Sequence, residues 1–267
     1  MILADTLGIF ADAAFSNPSE AGTIGAWIGI YAFAFQIYFD FSGYTDMALG
    51  CATLLGYDLP ENFRQPYAAW SVTDFWRRWH ITLSTWLRDY LYIPLGGSRS
   101  PGLGVYRNLM ITMLLGGLWH GAAWNFLIWG GLQGALLCLE RAFNIRGHEA
   151  SFHSLSPSRR TLIRFAVFNL IVFTWIPFRS PSVDGALSLI AAMFNAYGAG
   201  QLVAGHIMAL GIVAWAWVWQ VRDNDKDLRA GLFAIPTAMK YALYGLTLMS
   251  IAVFSSQGSV PFIYFQF

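Results

Sequence analysis

The sequence predicts an all-α, multi-pass integral membrane protein, and three observations carry that expectation. Charged residues make up only 12 % of the 267, about half of the roughly 25 % found in soluble domains. Hydrophobic residues reach 56 %, aromatic residues 17 %, and the mean hydropathy is +0.48. Uncharged stretches recur along the chain at about the 20-residue length that a spanning helix needs. Such a chain has too few charges to wet a globular surface. The composition excludes disorder, a coiled coil, a collagen-like chain and a secreted disulfide scaffold. A net charge of +1 leaves no basic field to hold nucleic acid.

The elements follow in order. Met1 to Asp5 lacks a positive stretch, so no cleavable signal peptide is expected and membrane entry would use internal helices. Gly22 to Phe39 is uncharged and long enough for a first span, which Phe41 to Tyr57 continues past Asp40 and Asp46. Between Arg64 and Arg107 the pattern changes. Trp70, Phe75, Trp76, Trp79, Trp86, Tyr90 and Tyr92 alternate with arginines, as in amphipathic helices lying at or dipping into the membrane interface. Leu95 to Arg99 reads as a turn.

Asn108 to Leu139 carries no formal charge and is too long for one simple span. Within it, Gly117 with Gly121 and Gly130 with Gly134 are small-xxx-small pairs that let helices approach closely. Phe165 to Phe178 contains Pro177 near its end, and Gly185 to Val221 has a Gly-rich break near Gly198 and Gly200. Tyr241 to Phe254 is a last helix before Pro261 and an aromatic tail. The expectation is six to eight membrane segments in a single domain over residues 1–267, without repeats.

Charge is unevenly placed. Residues 1–63 hold seven acids and no Lys or Arg. Arg64 to Arg107 holds six arginines, and Glu140 to Arg164 holds five. The positive-inside rule puts both stretches on the cytoplasmic side. Arginine suits planar phosphate contacts, and it also serves as an interfacial anchor. Cys51 and Cys138 lie in apolar runs and read as packing residues rather than a disulfide or metal pair.

Two histidines could carry chemistry. His120 is thirteen residues past Arg107, or ~20 Å along a helix and well inside a ~30 Å hydrocarbon layer. An ionisable group at that depth is either functional or a neutral imidazole bonded to a neighbouring helix. His80 shares the spacing i, i+4, i+8 with Trp76 and Ser84, which on one helix puts imidazole, indole and hydroxyl on one face. Imidazole can act as general base toward a hydroxyl, which can then attack a thioester carbonyl. Ser84 or Cys138 as a covalent nucleophile is the weaker route, since no Gly-x-Ser-x-Gly elbow is present and neither cysteine adjoins a histidine. No third ligand suggests a metal site. His148, His153 and His206 have no supporting context.

Three stretches together resemble the membrane-bound O-acyltransferases, and within them the bacterial alginate O-acetyltransferase branch. The first is Gln36-Ile37-Tyr38-Phe39-Asp40-Phe41-Ser42-Gly43-Tyr44-Thr45-Asp46, leading to Pro60-Glu61-Asn62-Phe63. The second is Phe75-Trp76-Arg77-Arg78-Trp79-His80, then Trp86-Leu87-Arg88-Asp89-Tyr90 and Pro94-Leu95-Gly96-Gly97. The third is Gly117-Leu118-Trp119-His120-Gly121-Ala122, with Trp124-Asn125 and Trp129-Gly130. The match is strongest over residues 30–141, and the Pro261 to Phe267 ending also looks like this branch.

The resemblance implies a ring of helices around a central tunnel, with His120 as the catalytic histidine or general base. His80 would orient or polarise the thioester carbonyl. Trp76, Arg77, Arg78, Ser84, Trp119, Trp124 and Asn125 are the substrate-binding residues it suggests. It implies no tightly bound cofactor and no metal. Acetyl-CoA or another acyl thioester would serve as cytoplasmic donor, and an exported, alginate-like polysaccharide or a periplasmic relay protein would take the acetyl group. The setting would be the lipid of a bacterial inner membrane. One departure stands out: relatives of this family carry several more helices before the Phe39-Asp40-Phe41 stretch, so the chain reads as the C-terminal, catalytic part of the fold. Rival expectations are a D-alanyl transferase for cell-wall polymers, an inactive truncated or scaffold subunit, and a transporter.

Overall fold

A computed structural model of the chain describes residues 2–194, 197–226 and 235–254. The Pro261 to Phe267 ending lies outside the described residues. Within them the fold is helical and has no strand. The helices are α1 (Ile2–Ser16), α2 (Pro18–Leu54), α3 (Val72–Trp76), α4 (Ile81–Leu87), α5 (Gly104–His120), α6 (Trp124–Ala142), α7 (Glu149–Ser154), α8 (Pro157–Arg179), α9 (Val183–Met193), α10 (Ala204–Lys226) and α11 (Thr237–Phe254). A non-helical stretch with short turns separates α2 from α3, and a π-turn at Arg88–Tyr92 follows α4.

α2 is the spine. α1, α8, α9 and α10 pack on it, and its Ala32, Phe33, Ala34, Phe35 and Ile37 are fully buried. Its 37 residues run ~55 Å, longer than a bilayer core is thick. The final turns leave the core, exposing Met47, Leu54 and Cys51. Cys51 is therefore not the packing residue that its apolar run suggests. The sequence reading also passed over α1, whose Asp5 and Asp12 break the apolar run. α1 sits close against α2: a Cβ placed on Gly29 would lie 2.2 Å from that of Ala14.

The chain kinks at Gly22, at φ 59° and ψ −169°. A kink frees backbone N–H groups that must find other partners. Thr23 and Ile24 donate theirs to the carbonyls of Gly198 and Ala199 at 3.0 and 2.9 Å. The Gly-rich break before α10 is thus the strap that seals the kink. A side chain at Gly22 would fall 2.6 Å from the backbone of Gly200.

The long uncharged stretch resolves into an α5–α6 hairpin broken at Gly121. A Cβ on Gly117 would lie 2.3 Å from the Phe126 carbonyl oxygen, and one on Gly130 would lie 2.3 Å from that of Met113. These glycines let the two backbones touch. Among the described residues three helices, α2, α8 and α10, are long and apolar enough to cross a membrane, fewer than the six to eight expected. α5 has 17 residues, or ~26 Å, at the lower limit for a span, and α9 has 11, too few for one.

Gly130→Val should destabilise the protein by ~1–3 kcal/mol through overpacking. The measurement is the thermal unfolding midpoint in detergent. Gly131→Ala is the control, because its new methyl would meet only Leu114, at 3.7 Å.

Candidate active site

His120 is the last residue of α5. The chain turns at once through extended Gly121 and Ala123 into α6. That tight re-entry places the imidazole edge-on against Trp129 and Phe178, with ring centroids 5.2 and 5.0 Å away at 87° and 79°. Trp175 stacks behind Trp129 at 5.8 Å and touches Trp79 at 5.1 Å. The wall around His120 is therefore aromatic and comes from α5, α6 and α8 together.

His80 arrives from a different direction. It stands just before α4 in the left-handed conformation, φ 42° and ψ 56°, which is uncommon for a non-glycine residue. Two backbone bonds hold the bend: Arg64 donates to the Arg78 carbonyl at 2.9 Å, and Ile81 donates to that of Asn62 at 3.0 Å. The ring packs edge-on against Phe41 of α2 at 4.8 Å. Trp119 touches both histidines, its ring centroid 6.2 Å from that of His80 and 4.9 Å from that of His120. Segments forty residues apart thus deliver both to one place.

Trp76, His80 and Ser84, spaced i, i+4, i+8, do not share one helix face as expected. Trp76 ends α3, His80 precedes α4, and Ser84 belongs to α4. The Ser71 hydroxyl caps α3 by accepting from the Asp74 N–H at 3.0 Å, and the helix runs out at Arg77. The Ser84 hydroxyl donates to the Trp79 carbonyl at 3.0 Å. Trp76 and Ser84 nevertheless share a cavity of about 410 Å³, together with Arg77, Arg88, Thr112 and Leu137. Trp76 forms part of its wall and contacts Trp129 at 5.9 Å on the way to His120.

The other expected site residues separate. Arg77 is exposed in the cavity lining. Arg78 pairs with Asp74 at 2.8 Å and with Asn224 of α10 at 2.5 Å, which commits it to holding elements together. Asn125 is buried and donates to the Ser180 carbonyl at 2.9 Å, tying the start of α6 to the end of α8. Trp124 is 73 % exposed, and Trp119 is 58 % exposed on the face beside the histidines.

Two supporting residues escaped the sequence reading. Gln133, fully buried, accepts from the Trp76 indole at 3.1 Å and donates to the Thr174 hydroxyl at 2.8 Å. It fixes Trp76 between α6 and α8. Glu140, also buried, accepts the Val72 N–H and, at 2.8 Å, the Thr73 N–H. Its carboxylate caps the start of α3. The signal available was a polar residue inside an apolar stretch, which has to be satisfied somewhere. Among the described residues no group of three His, Cys, Asp or Glu is placed to hold a metal ion.

The chain belongs to the membrane-bound O-acyltransferase family, whose model matches residues 4–181, about two thirds of it. It is 40 % identical to a probable alginate O-acetylase of Pseudomonas putida, over the whole of this chain and 58 % of the relative. It is 44 % identical to a peptidoglycan O-acetyltransferase of Helicobacter pylori, over 74 % of this chain and 37 % of that protein. A teichoic acid D-alanyltransferase of Bacillus subtilis is 28 % identical over 58 % of this chain and 42 % of its own length. The chain thus spans well under two thirds of the length of the relatives it matches.

The scaffold around the imidazoles can be tested apart from any activity. Glu140→Ala strips two buried N–H groups of their acceptor, at a cost of ~1–3 kcal/mol. A lower unfolding midpoint is expected, with Glu140→Gln intermediate because an amide oxygen still accepts.

Proposed function

We propose that this member of the membrane-bound O-acyltransferase family moves an acetyl group from a cytoplasmic thioester, acetyl-CoA or another, to a hydroxyl of an exported polysaccharide or of a periplasmic relay protein. It would do so in a bacterial inner membrane. The observation that carries the reading is the convergence of His80 and His120, from separate elements, on the same residue, Trp119. The relatives favour acetyl over D-alanyl transfer: the two O-acetylating proteins above are 40 % and 44 % identical to this chain, and the D-alanyltransferase is 28 % identical.

In this reading His120 is the general base and His80 orients the reacting groups. The base takes the hydroxyl proton of the acceptor. The oxygen forms a bond to the thioester carbonyl carbon, the C–S bond breaks, and the leaving sulfur takes the proton from the imidazolium. Atoms and charge balance without a covalent enzyme intermediate, so neither Ser84 nor Cys138 is needed as nucleophile. The aromatic wall of Trp129, Phe178 and Trp119 keeps water from competing for the thioester. The cavity beside Trp76 is the donor's approach, and Arg77 and Arg88 at its lining suit phosphate groups.

The test is acetyl-ester content of the exported polymer in a host lacking its own transferase, at matched membrane levels of each variant. His120→Ala should lose on the order of 100-fold or more of the transfer rate. Acetylation that survives the change would sink the catalytic assignment, and a subunit that only passes acetyl units would behave that way. In membranes assayed with acetyl-CoA, Arg77→Ala should raise the donor's KM several-fold and leave kcat nearly unchanged, the pattern of lost ground-state binding.

A further inference from the structure

The Pro60-Glu61-Asn62-Phe63 stretch has no part in the chemistry above, yet Asn62 is buried directly beside His80. Its side-chain oxygen meets the Thr82 N–H at 3.2 Å, the Thr82 hydroxyl at 3.0 Å and the His80 Nδ1 at 3.2 Å. A backbone N–H can only donate, so the atom facing it is the amide oxygen, and that settles which way the amide points. An amide oxygen can only accept. With its hydrogen on the same oxygen, 3.0 Å away, the Thr82 hydroxyl turns a lone pair toward Nδ1 at 3.4 Å, the arrangement compatible with an Nδ1–H facing an oxygen that can only accept. Nδ1 therefore faces two acceptors and carries the hydrogen. A neutral imidazole has one N–H, so the lone pair sits on Nε2, at the far side of the ring.

We propose that Asn62 is a positioning residue that holds His80 in its Nδ1–H tautomer, so that His80 presents Nε2 as a hydrogen-bond acceptor for the acceptor hydroxyl. The proposal rests on the reading of His80 as one of the catalytic pair, and it narrows that role. A neutral His80 held this way accepts a hydrogen bond from the attacking hydroxyl and does not donate one to the thioester carbonyl. The clamp also explains how a histidine keeps a left-handed backbone: Asn62 grips the chain from both its amide oxygen and its main-chain carbonyl.

The test combines a spectrum with kinetics on the intact chain in lipid. Solid-state ¹⁵N NMR of histidine-labelled protein, with His80→Gln to identify the signal, reads the tautomer directly. The expected parent signal has Nδ1 protonated and Nε2 bare; a parent signal with Nε2 protonated overturns the proposal whether or not the chain transfers acetyl groups. Asn62→Ala should give a mixed or reversed tautomer, while Asn62→Asp keeps the parent signal. In membranes given acetyl-CoA and an alginate oligosaccharide, Asn62→Ala should lose on the order of 100-fold in kcat with little change in KM, and Asn62→Asp should stay within a few-fold of the parent. Equal losses in both variants at parental abundance, or none in Asn62→Ala, overturn it. Should Asn62→Ala not accumulate, Asn62→Gln, which shifts the amide oxygen by one methylene, carries the same test. A parent that releases no CoA while His80 shows the expected tautomer would refute the catalytic reading and leave the Asn62 assignment standing.

Discussion

Non-helical backbone packed among apolar helices has no water to bond, so its N–H and C=O groups must be satisfied by protein. The stretch from Asn62 to Ser71 is such a backbone, buried over most of its length, and the helices around it are arranged to receive it. The Tyr67 N–H goes to Gln220 of α10 at 2.8 Å, and its carbonyl takes the Trp217 indole at 3.1 Å. The Tyr67 hydroxyl donates to the Ala34 carbonyl of α2 at 2.6 Å. Gln65 donates to Asp223, and Glu140 closes the start of α3. The polar residues scattered on α6 and α10 look out of place along their own helices. They make sense as partners for a segment far away in sequence.

That arrangement sets the division of labour at the site. Helices α5, α6 and α8 supply a rigid aromatic wall for His120, while the irregular stretch supplies His80, Trp76 and the cavity lining. A left-handed bend cannot be supported by its own residue alone, because its cost has to be met by surrounding contacts. Here the contacts come from Asn62, Thr82 and Phe41.

Much of this was legible in the sequence, for reasons that can be named. That residues 108–139 exceed one span, and that the chain breaks near Gly198 and Gly200, shows because uncharged run length and glycine are local signals; Gly121 read as a packing glycine, and the break falls there. The pairing of His80 with His120 shows through motif resemblance and not through periodicity. Helical spacing misled at Trp76, His80 and Ser84, because nothing local announces that a short helix will stop at Arg77 and reverse at His80. Gln133, Glu140 and Asn62 stayed obscure for a related reason. Their partners lie 57, 67 and 18 residues away, and a one-dimensional pattern does not reveal which distant donor a buried oxygen will meet. α1 was missed because a helix buried against a membrane span need not be apolar all round.

The kink at Gly22 has one more consequence. It is pinned to the Gly198–Gly200 strap, and nineteen residues on, the same helix places Phe41 against His80. α2 between those points acts as a ruler ~28 Å long, graduated in turns. Adding or removing one residue would swing Phe41 about 100° around the helix axis and slide it ~1.5 Å along it. Phe41 would then turn away from His80 while every helix remained a helix.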